Sequence, residues 1–384
     1  MMLRRYIGIV VFILLLSLTP SNDGEAAQPS ARPDSSPTIC TVDMQLRQPE
    51  RCQSARQDLQ EMAFNGLYPQ RPLPRAYLDP DLGDVDFVYL RSNSDDGTPL
   101  YTSYGDAVRG QNPYRTVEPG FVFFSYIERS ETDGVTVYMI DPGVYIRGVD
   151  VTRIYPPPFR GMAFTRTPDR PFAWVLTNFR AWSGPGGNSV QNGSWYYRYD
   201  VVQIFETVTV GDWDWYRIGP NDWVEQRMVA KVVPDTNRPE GVPEDSWISI
   251  NLYEQTLAVY EDGQMVFATL VSSGLSSWWT QPGVFQVYEK VEHGPMSGAF
   301  AADRSDYYYL EDVPWTLYYD KARAIHGAYW HNGFGYPRSH GCVNLSPADA
   351  QWIYNWAHEG TWVYVFDPTG QTPTDPEVYS EGGA

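Results

Sequence analysis

Two stretches of this chain match at a constant offset of 78 residues, and each reads as the same hairpin. Val137-Tyr138-Met139-Ile140 corresponds to Trp215-Tyr216-Arg217-Ile218, and Tyr145-Ile146 to Trp223-Val224. Val149 and Val151 correspond to Arg227 and Val229. Each copy has a turn before it (Asp133-Gly134, Gly211-Asp212) and a turn inside it (Asp141-Pro142-Gly143, Gly219-Pro220-Asn221-Asp222). Strand, tight turn, strand, used twice, makes residues 75–232 a β-rich repeat region. The abundance of Gly (32), Pro (31), Tyr (28) and Trp (14) agrees with many short strands and turns. With 42% hydrophobic residues over 384 positions, the chain has material for a folded core and more than one domain.

Residues 233–245 (VPDTNRPEGVPED) are polar and Pro-rich, and mark the best domain boundary. Beyond it, Trp247–Val259 alternates as a strand, Glu261-Asp262-Gly263-Gln264 turns into Met265–Ser272, and Gly283–Val291 is a further strand. Ser346-Pro347-Ala348-Asp349 supplies an N-cap, a first-turn proline and a first-turn acid, so a helix runs through Trp352, Ile353 and Trp356 to Gly360. Thr361–Phe366 is a last strand, and 368–384 read as a disordered tail.

The N-terminus carries Arg4 and Arg5, a short apolar run Ile7–Leu18, and small residues at Glu25-Ala26-Ala27. Residues 1–27 therefore read as a signal peptide, the alternative being an uncut anchor. No other stretch is apolar enough to cross a membrane, so no integral span is expected after cleavage. Residues 28–74 read as a linker and a short helical segment (Ser54–Phe64) stapled by a Cys40–Cys52 disulfide, as suits an exported protein of the cell envelope. A net charge of −19 excludes nucleic-acid binding, which needs basic patches.

The chemistry concentrates in Ala324–Ser346, AIHGAYWHNGFGYPRSHGCVNLS. It holds His326, His331, His340 and Cys342, the third and unpaired cysteine. A neutral thiol is a weak nucleophile until an imidazole takes its proton. By spacing alone either His326 or His340 can be that base. Gly327 and Gly341 flank the reactive positions and let backbone approach a substrate. The spacings match no usual zinc pattern, so no metal is expected. Tyr329, Trp330, Phe334 and Tyr336 read either as a lid or wall for substrate or as loop packing. Arg338 can meet a carboxylate or simply face solvent. His331 reads as a solvated loop residue, and His293 and His358 as structural. The three lysines (Lys231, Lys290, Lys321) have no serine three positions earlier, so the S-x-x-K centre of serine acyltransferases is absent.

His326-Gly327 followed by Ser339-His340-Gly341-Cys342-Val343-Asn344 resembles the signature of the L,D-transpeptidase (YkuD-type) catalytic domain. Ile248–Tyr260 resembles its opening strand, Ser273-Gly274 its mid-domain turn, and Thr280-Gln281-Pro282-Gly283-Val284-Phe285 its T-x-P-G-x-F entry. The resemblance spans 245–367 and departs at Asn344, where many members carry arginine. It implies a mainly β fold, a β-sandwich or mixed catalytic domain, acting on peptidoglycan stem peptides without a cofactor. It implies Cys342 as nucleophile and His326 as proton acceptor, oriented by the Gly327 carbonyl. His340 and Gly341 then help the Cys342 N–H hold the oxyanion, and Ser339 and Asn344 support the loop. The implied reaction forms a thioester with the third stem residue, releases D-alanine and makes a 3–3 cross-link. Water in place of the acceptor amine gives an L,D-carboxypeptidase. Upstream, WYRIGPNDWVEQ resembles the closing strands of bacterial Src-homology-3-like barrels, which keeps open a non-catalytic wall-binding protein.

Overall fold

The computed structural model describes residues 72–379, apart from Ser277, Phe300 and Ala302. The signal segment, the linker, the Ser54–Phe64 helix and the Cys40–Cys52 pairing lie outside the described residues. Among the described residues no helix is long and apolar enough to cross a membrane.

The 78-residue offset extends well beyond the hairpins. In the first copy, Val88–Ser92 lies between Phe121–Tyr126 and Val151–Ile154, antiparallel to both. A three-stranded meander (Glu128–Thr132, Val135–Asp141, Val144–Arg147) and a single 3₁₀ turn (Gly148–Asp150) connect the flanking strands. The second copy repeats this order. Phe172–Val175 lies between Val201–Gln203 and Val229–Val232, joined through Glu206–Val210, Trp213–Arg217, Trp223–Glu225 and the 3₁₀ turn Gln226–Met228. Equivalent positions fill equivalent cores: Phe124, Ile140, Ile146 and Val151 in one, Val202, Ile218, Val224 and Val229 in the other. The hairpin turn at Asp133-Gly134 has φ of 52° and 77°, the left-handed pair a two-residue turn needs to match strand twist.

Strand pairing crosses the 233–245 join. A six-stranded sheet runs Gly283–Gln286, Trp362–Phe366, Trp247–Asn251, Thr256–Glu261, Gln264–Leu270 and then Met162–Ala163 from upstream. Its middle strands are buried on both faces. Ile248, Ile250, Leu257 and Val259 meet the helix Pro347–Trp356, while Trp247, Ala258 and Tyr260 meet Phe172, Trp174 and Val232 of the second copy. The second sheet has seven strands and is centred on the long strand Tyr308–Asp320. One edge of that strand pairs first with Phe121–Tyr126 of the first copy and then with Arg323–Gly327; the other edge carries Glu289–Gly298. Left-handed backbone at Asp312 (φ 46°) and Trp315 (φ 52°) lets one strand serve both halves.

Two expectations change. Residues 368–379, expected to be disordered, are built: Asp367 accepts from the hydroxyls of Thr369 and Thr372, and a short 3₁₀ turn (Pro376–Val378) leads to Tyr379. The Tyr379 ring sits 5.1 Å from the Arg323 guanidinium and is buried. Tyr329 is core, not lid. Its ring stacks on Tyr89 at 3.5 Å, and its hydroxyl donates to the Glu311 carbonyl at 2.6 Å.

Glu311 sits at the seam between the first copy and the long strand. Its Oε2 accepts from the Ser125 N–H at 2.7 Å, and its Oε1 from the Tyr309 hydroxyl at 3.2 Å. Burial, helped by Asp312 and Asp141, raises its pKa from 4.5 to about 7. A folded pKa above the unfolded one means stability that is present below about pH 4.5 and lost as pH rises through about 7. Glu311→Gln should therefore melt with the wild type at pH 5 and gain on the order of 2 kcal/mol at pH 8, read as a higher thermal midpoint. Equal midpoints at both pH values would show that the seam carboxyl is not held neutral.

Candidate active site

The site is built on one short parallel strand pair. Arg323–Gly327 and Val343–Leu345 run side by side, with Ile325 opposite Val343, His326 opposite Asn344 and Gly327 opposite Leu345. Extending that register by one residue sets Cys342 beside Ala324. Side chains alternate along strands, so Cys342, Asn344, Ala324 and His326 share one face. One step across and two along a sheet put the Cys342 and His326 Cα atoms roughly 8 Å apart.

Each partner is held from behind. The His326 Nδ1 lies 3.3 Å from the Gly327 carbonyl oxygen. That oxygen can only accept, so the ring proton sits on Nδ1 and Nε2 is the basic nitrogen. Gly327 itself is a glycine for packing: a Cβ there would come within 2.9 Å of Pro314 Cγ, so it makes room for the core and not for substrate. The Ser339 hydroxyl donates to the Cys342 carbonyl at 2.5 Å and accepts from the Gly341 N–H at 3.1 Å. The Gly341 N–H is thus occupied by the loop, which leaves the glycine a conformational role. Its φ is +125°, and a Cβ would sit 3.1 Å from Arg323 Nε. Thr280 Oγ1 closes the other side, donating to the Gly341 carbonyl at 2.8 Å.

Burial drives the two proton affinities further apart. The Cys342 thiol is pushed up to about 11, against a smaller opposing pull from the Ala324 N–H and the Arg323 guanidinium. His326 is pushed down to about 4 by burial. The resting pair is therefore neutral, thiol and imidazole. Arg323 is 3% exposed and ion-paired with Asp320 at 2.8 Å, so its charge is largely compensated before it reaches the sulfur.

Sequence reasoning misjudged His331. It is no solvated loop residue: its Nδ1 accepts from the Gly333 N–H at 3.1 Å, and its Nε2 lies 3.1 Å from the Asn344 carboxamide. A nitrogen that accepts cannot carry the proton, so the proton is on Nε2; the Asn344 atom facing it, placed as Nδ2, is then assigned as the carboxamide oxygen, with the two exchanged. Burial, then the charges of Arg338 and His326, lower His331 to about 3. No spacing rule reveals this role, because it comes from the loop folding back onto the strand.

The remaining predicted residues separate. His340 lies between Trp278 (4.4 Å, edge to face) and Tyr308 (5.5 Å, stacked), in an aromatic cage beside the cysteine. Trp330 tilts against His326 at 5.7 Å and is half-buried, placed as a wall of the site. Phe334 is core, whereas Arg338 and Tyr336 are exposed. Among the described residues no three His, Cys, Asp or Glu side chains are placed to hold a metal ion.

A model of the L,D-transpeptidase catalytic domain matches residues 245–365. Those residues belong to the L,D-transpeptidase catalytic domain family. One relative is L,D-transpeptidase 2 of Mycobacterium tuberculosis (strain CDC 1551 / Oshkosh), 32% identical over 121 residues, covering 30% of this chain and 30% of that protein. The chain thus spans under a third of that relative's length. Among solved structures, the catalytic domain of the E. faecium L,D-transpeptidase is 30% identical, with 33% of this chain and 100% of that one covered, at a TM-score of 0.30. An L,D-transpeptidase from Stackebrandtia nassauensis is 27% identical, covering 35% and 60%, at a TM-score of 0.27. The L,D-transpeptidase domain here therefore occupies the last third of the chain, with Cys342 and His326 both inside it.

A neutral resting thiol has a simple signature. Alkylation of Cys342 by iodoacetamide should climb about tenfold per pH unit from pH 8 to 10 and level off only near the thiol pKa of about 11. A plateau already reached at pH 7 would mean a preformed thiolate. Gly341→Ala should cut alkylation and acylation by about 100-fold, through left-handed strain and the Arg323 contact, while the fold persists; wild-type rates would show the glycine to be incidental.

Proposed function

We propose that the chain is an exported peptidoglycan L,D-transpeptidase whose nucleophile is Cys342. The observation that carries this reading is the shared face of Cys342 and His326, with His326 Nδ1 committed to the Gly327 carbonyl, inside a domain of that family. Because the resting pair is neutral, proton transfer accompanies attack and does not precede it. The Cys342 sulfur attacks the carbonyl of the third stem residue as His326 Nε2 takes the thiol proton. The C–N bond to the terminal D-alanine then breaks, and His326 returns the proton to the departing amine. A thioester remains. An amine from a second stem attacks it, His326 removes the amine's proton, and the thiol is restored with a 3–3 cross-link formed. The Cys342 backbone N–H and the His340 region stabilise the oxyanion. No cofactor enters the scheme. Water as acceptor would give the carboxypeptidase product from the same thioester.

The pH dependence follows from the base. His326 stays neutral down to about pH 4, so acylation should keep most of its neutral-pH rate at pH 5 and fall only below that. A profile with a midpoint near 6.5 would mean an imidazole exposed to solvent.

The deciding experiment is intact mass after incubation with a carbapenem, beside Cys342→Ala. One adduct on the wild type only is expected, followed by release of D-alanine from a tetrapeptide stem and a cross-linked dimer. Absence of any adduct, with the fold intact, would favour a non-catalytic wall-binding protein. Free tripeptide without dimer would favour the hydrolase.

A further inference from the structure

The second upstream copy reaches into the catalytic loop through two adjacent side chains. The Arg198 guanidinium is anchored to its own copy by Nη1, which donates to the Leu176 carbonyl at 2.8 Å. Its Nη2 donates to the Phe334 carbonyl at 3.0 Å and to the Tyr199 hydroxyl at 2.9 Å. That hydroxyl in turn donates to the Asn332 carbonyl at 2.8 Å, with the Asn332 side-chain oxygen at 3.1 Å. A charged donor thus polarises the hydroxyl that grips the loop. Both gripped carbonyls lie in the segment that follows His331.

Two further features show that this contact is built and not incidental. Tyr199 has φ +70°, a left-handed conformation that a bulky residue adopts only when its surroundings impose it. Its amide donates to the Val175 carbonyl at 2.7 Å and its ring packs on Phe159 at 4.5 Å, so the strained backbone aims the hydroxyl at the loop. Opposite, Gly335 (φ +94°) lies so close to the second copy that a Cβ would fall 2.3 Å from Leu176 Cδ2.

The grip continues into the catalytic site. Gly333, between the two clamped carbonyls, donates its N–H to His331, and His331 is hydrogen-bonded to Asn344, the register partner of His326. We propose that Arg198 and Tyr199 are positioning residues for the acyl-transfer site, acting through the Asn332–Phe334 loop and the His331–Asn344 pair. The upstream copy is then part of the enzyme's working geometry, and removing one of its hydroxyls slows chemistry as a mere tether would not. This rests on the transpeptidase reading above.

The test uses the full chain and Tyr199→Phe, which keeps the ring and the strained backbone and deletes only the hydroxyl. Acylation by a carbapenem, followed against its concentration, separates half-saturation from the maximal rate. The expected result is a maximal rate lower by about tenfold, a half-saturation changed less than the rate, and a thermal midpoint close to the wild type. Arg198→Lys, which keeps the charge and loses the fork, should fall in the same direction. A purely structural contact would instead lower the midpoint and leave the maximal rate of folded protein within twofold of wild type, and that result overturns the proposal. Ring ¹⁵N shifts of His331 give a readout that needs no turnover. The wild type should show a single tautomer protonated at Nε2, and Tyr199→Phe an exchange between two. If the wild type takes no adduct, the transpeptidase reading fails; an unchanged His331 tautomer in Tyr199→Phe then separately removes the clamp.

Discussion

Everything at the site depends on one parallel pairing, Ile325 with Val343 and His326 with Asn344. Parallel neighbours keep a common side-chain alternation, so this single register puts a thiol, an imidazole and a carboxamide on one face. A slip of one residue would send Cys342 to the opposite face from His326. The surrounding structure holds the register from several sides. The long strand Tyr308–Asp320 pairs with the histidine strand, Ser272 exchanges backbone hydrogen bonds with Asn344, and the helix Pro347–Trp356 starts immediately after the cysteine strand. The Ser346 hydroxyl accepts from the Asp349 N–H, which fixes where that helix begins.

The same packing sets the electrostatics. The site's strands lie in the seven-stranded sheet, where Ile325, Val343 and Leu345 pack with the helix Pro347–Trp356, and Cys342 and His326 are buried on the other face. Desolvation disfavours charge on either partner, raising the thiol and lowering the imidazole together. An ion pair ready to react in the free enzyme is the usual picture for a cysteine–histidine centre. Here the thiol and imidazole rest neutral, and in the proposed reaction proximity and a fixed tautomer replace that ion pair.

How far the chain's chemistry could be read in advance varied with range. The N-cap at Ser346, the Asp133-Gly134 turn and the 78-residue repeat are local, and each is written in residue types that favour one backbone state. Gly341 was expected to be a glycine for close approach to substrate; what requires it here, a φ of +125° and the Arg323 side chain behind it, was not legible. Tyr329 was left undecided and His331 misjudged because neighbours in sequence say little about loop residues whose partners, Tyr89 and Asn344, come from elsewhere. The acidic segment after Phe366 reads as disordered by composition, yet hydroxyl-to-carboxylate bonds at Asp367 and the burial of Tyr379 order it.

By itself, then, the amino-acid sequence determined the mainly β character, the duplicated upstream unit and the short stretch that holds Cys342 with two candidate bases, because strand alternation, turn chemistry and residue composition are local properties. Tertiary structure alone decided which side chains surround that pair, the proton affinities within it and the grip of Arg198 on Asn332 and Phe334, across 134 and 136 residues of chain. Such contacts depend on the register and docking of distant strands. Those are settled by the burial of whole sheet faces, which no short stretch of residues specifies.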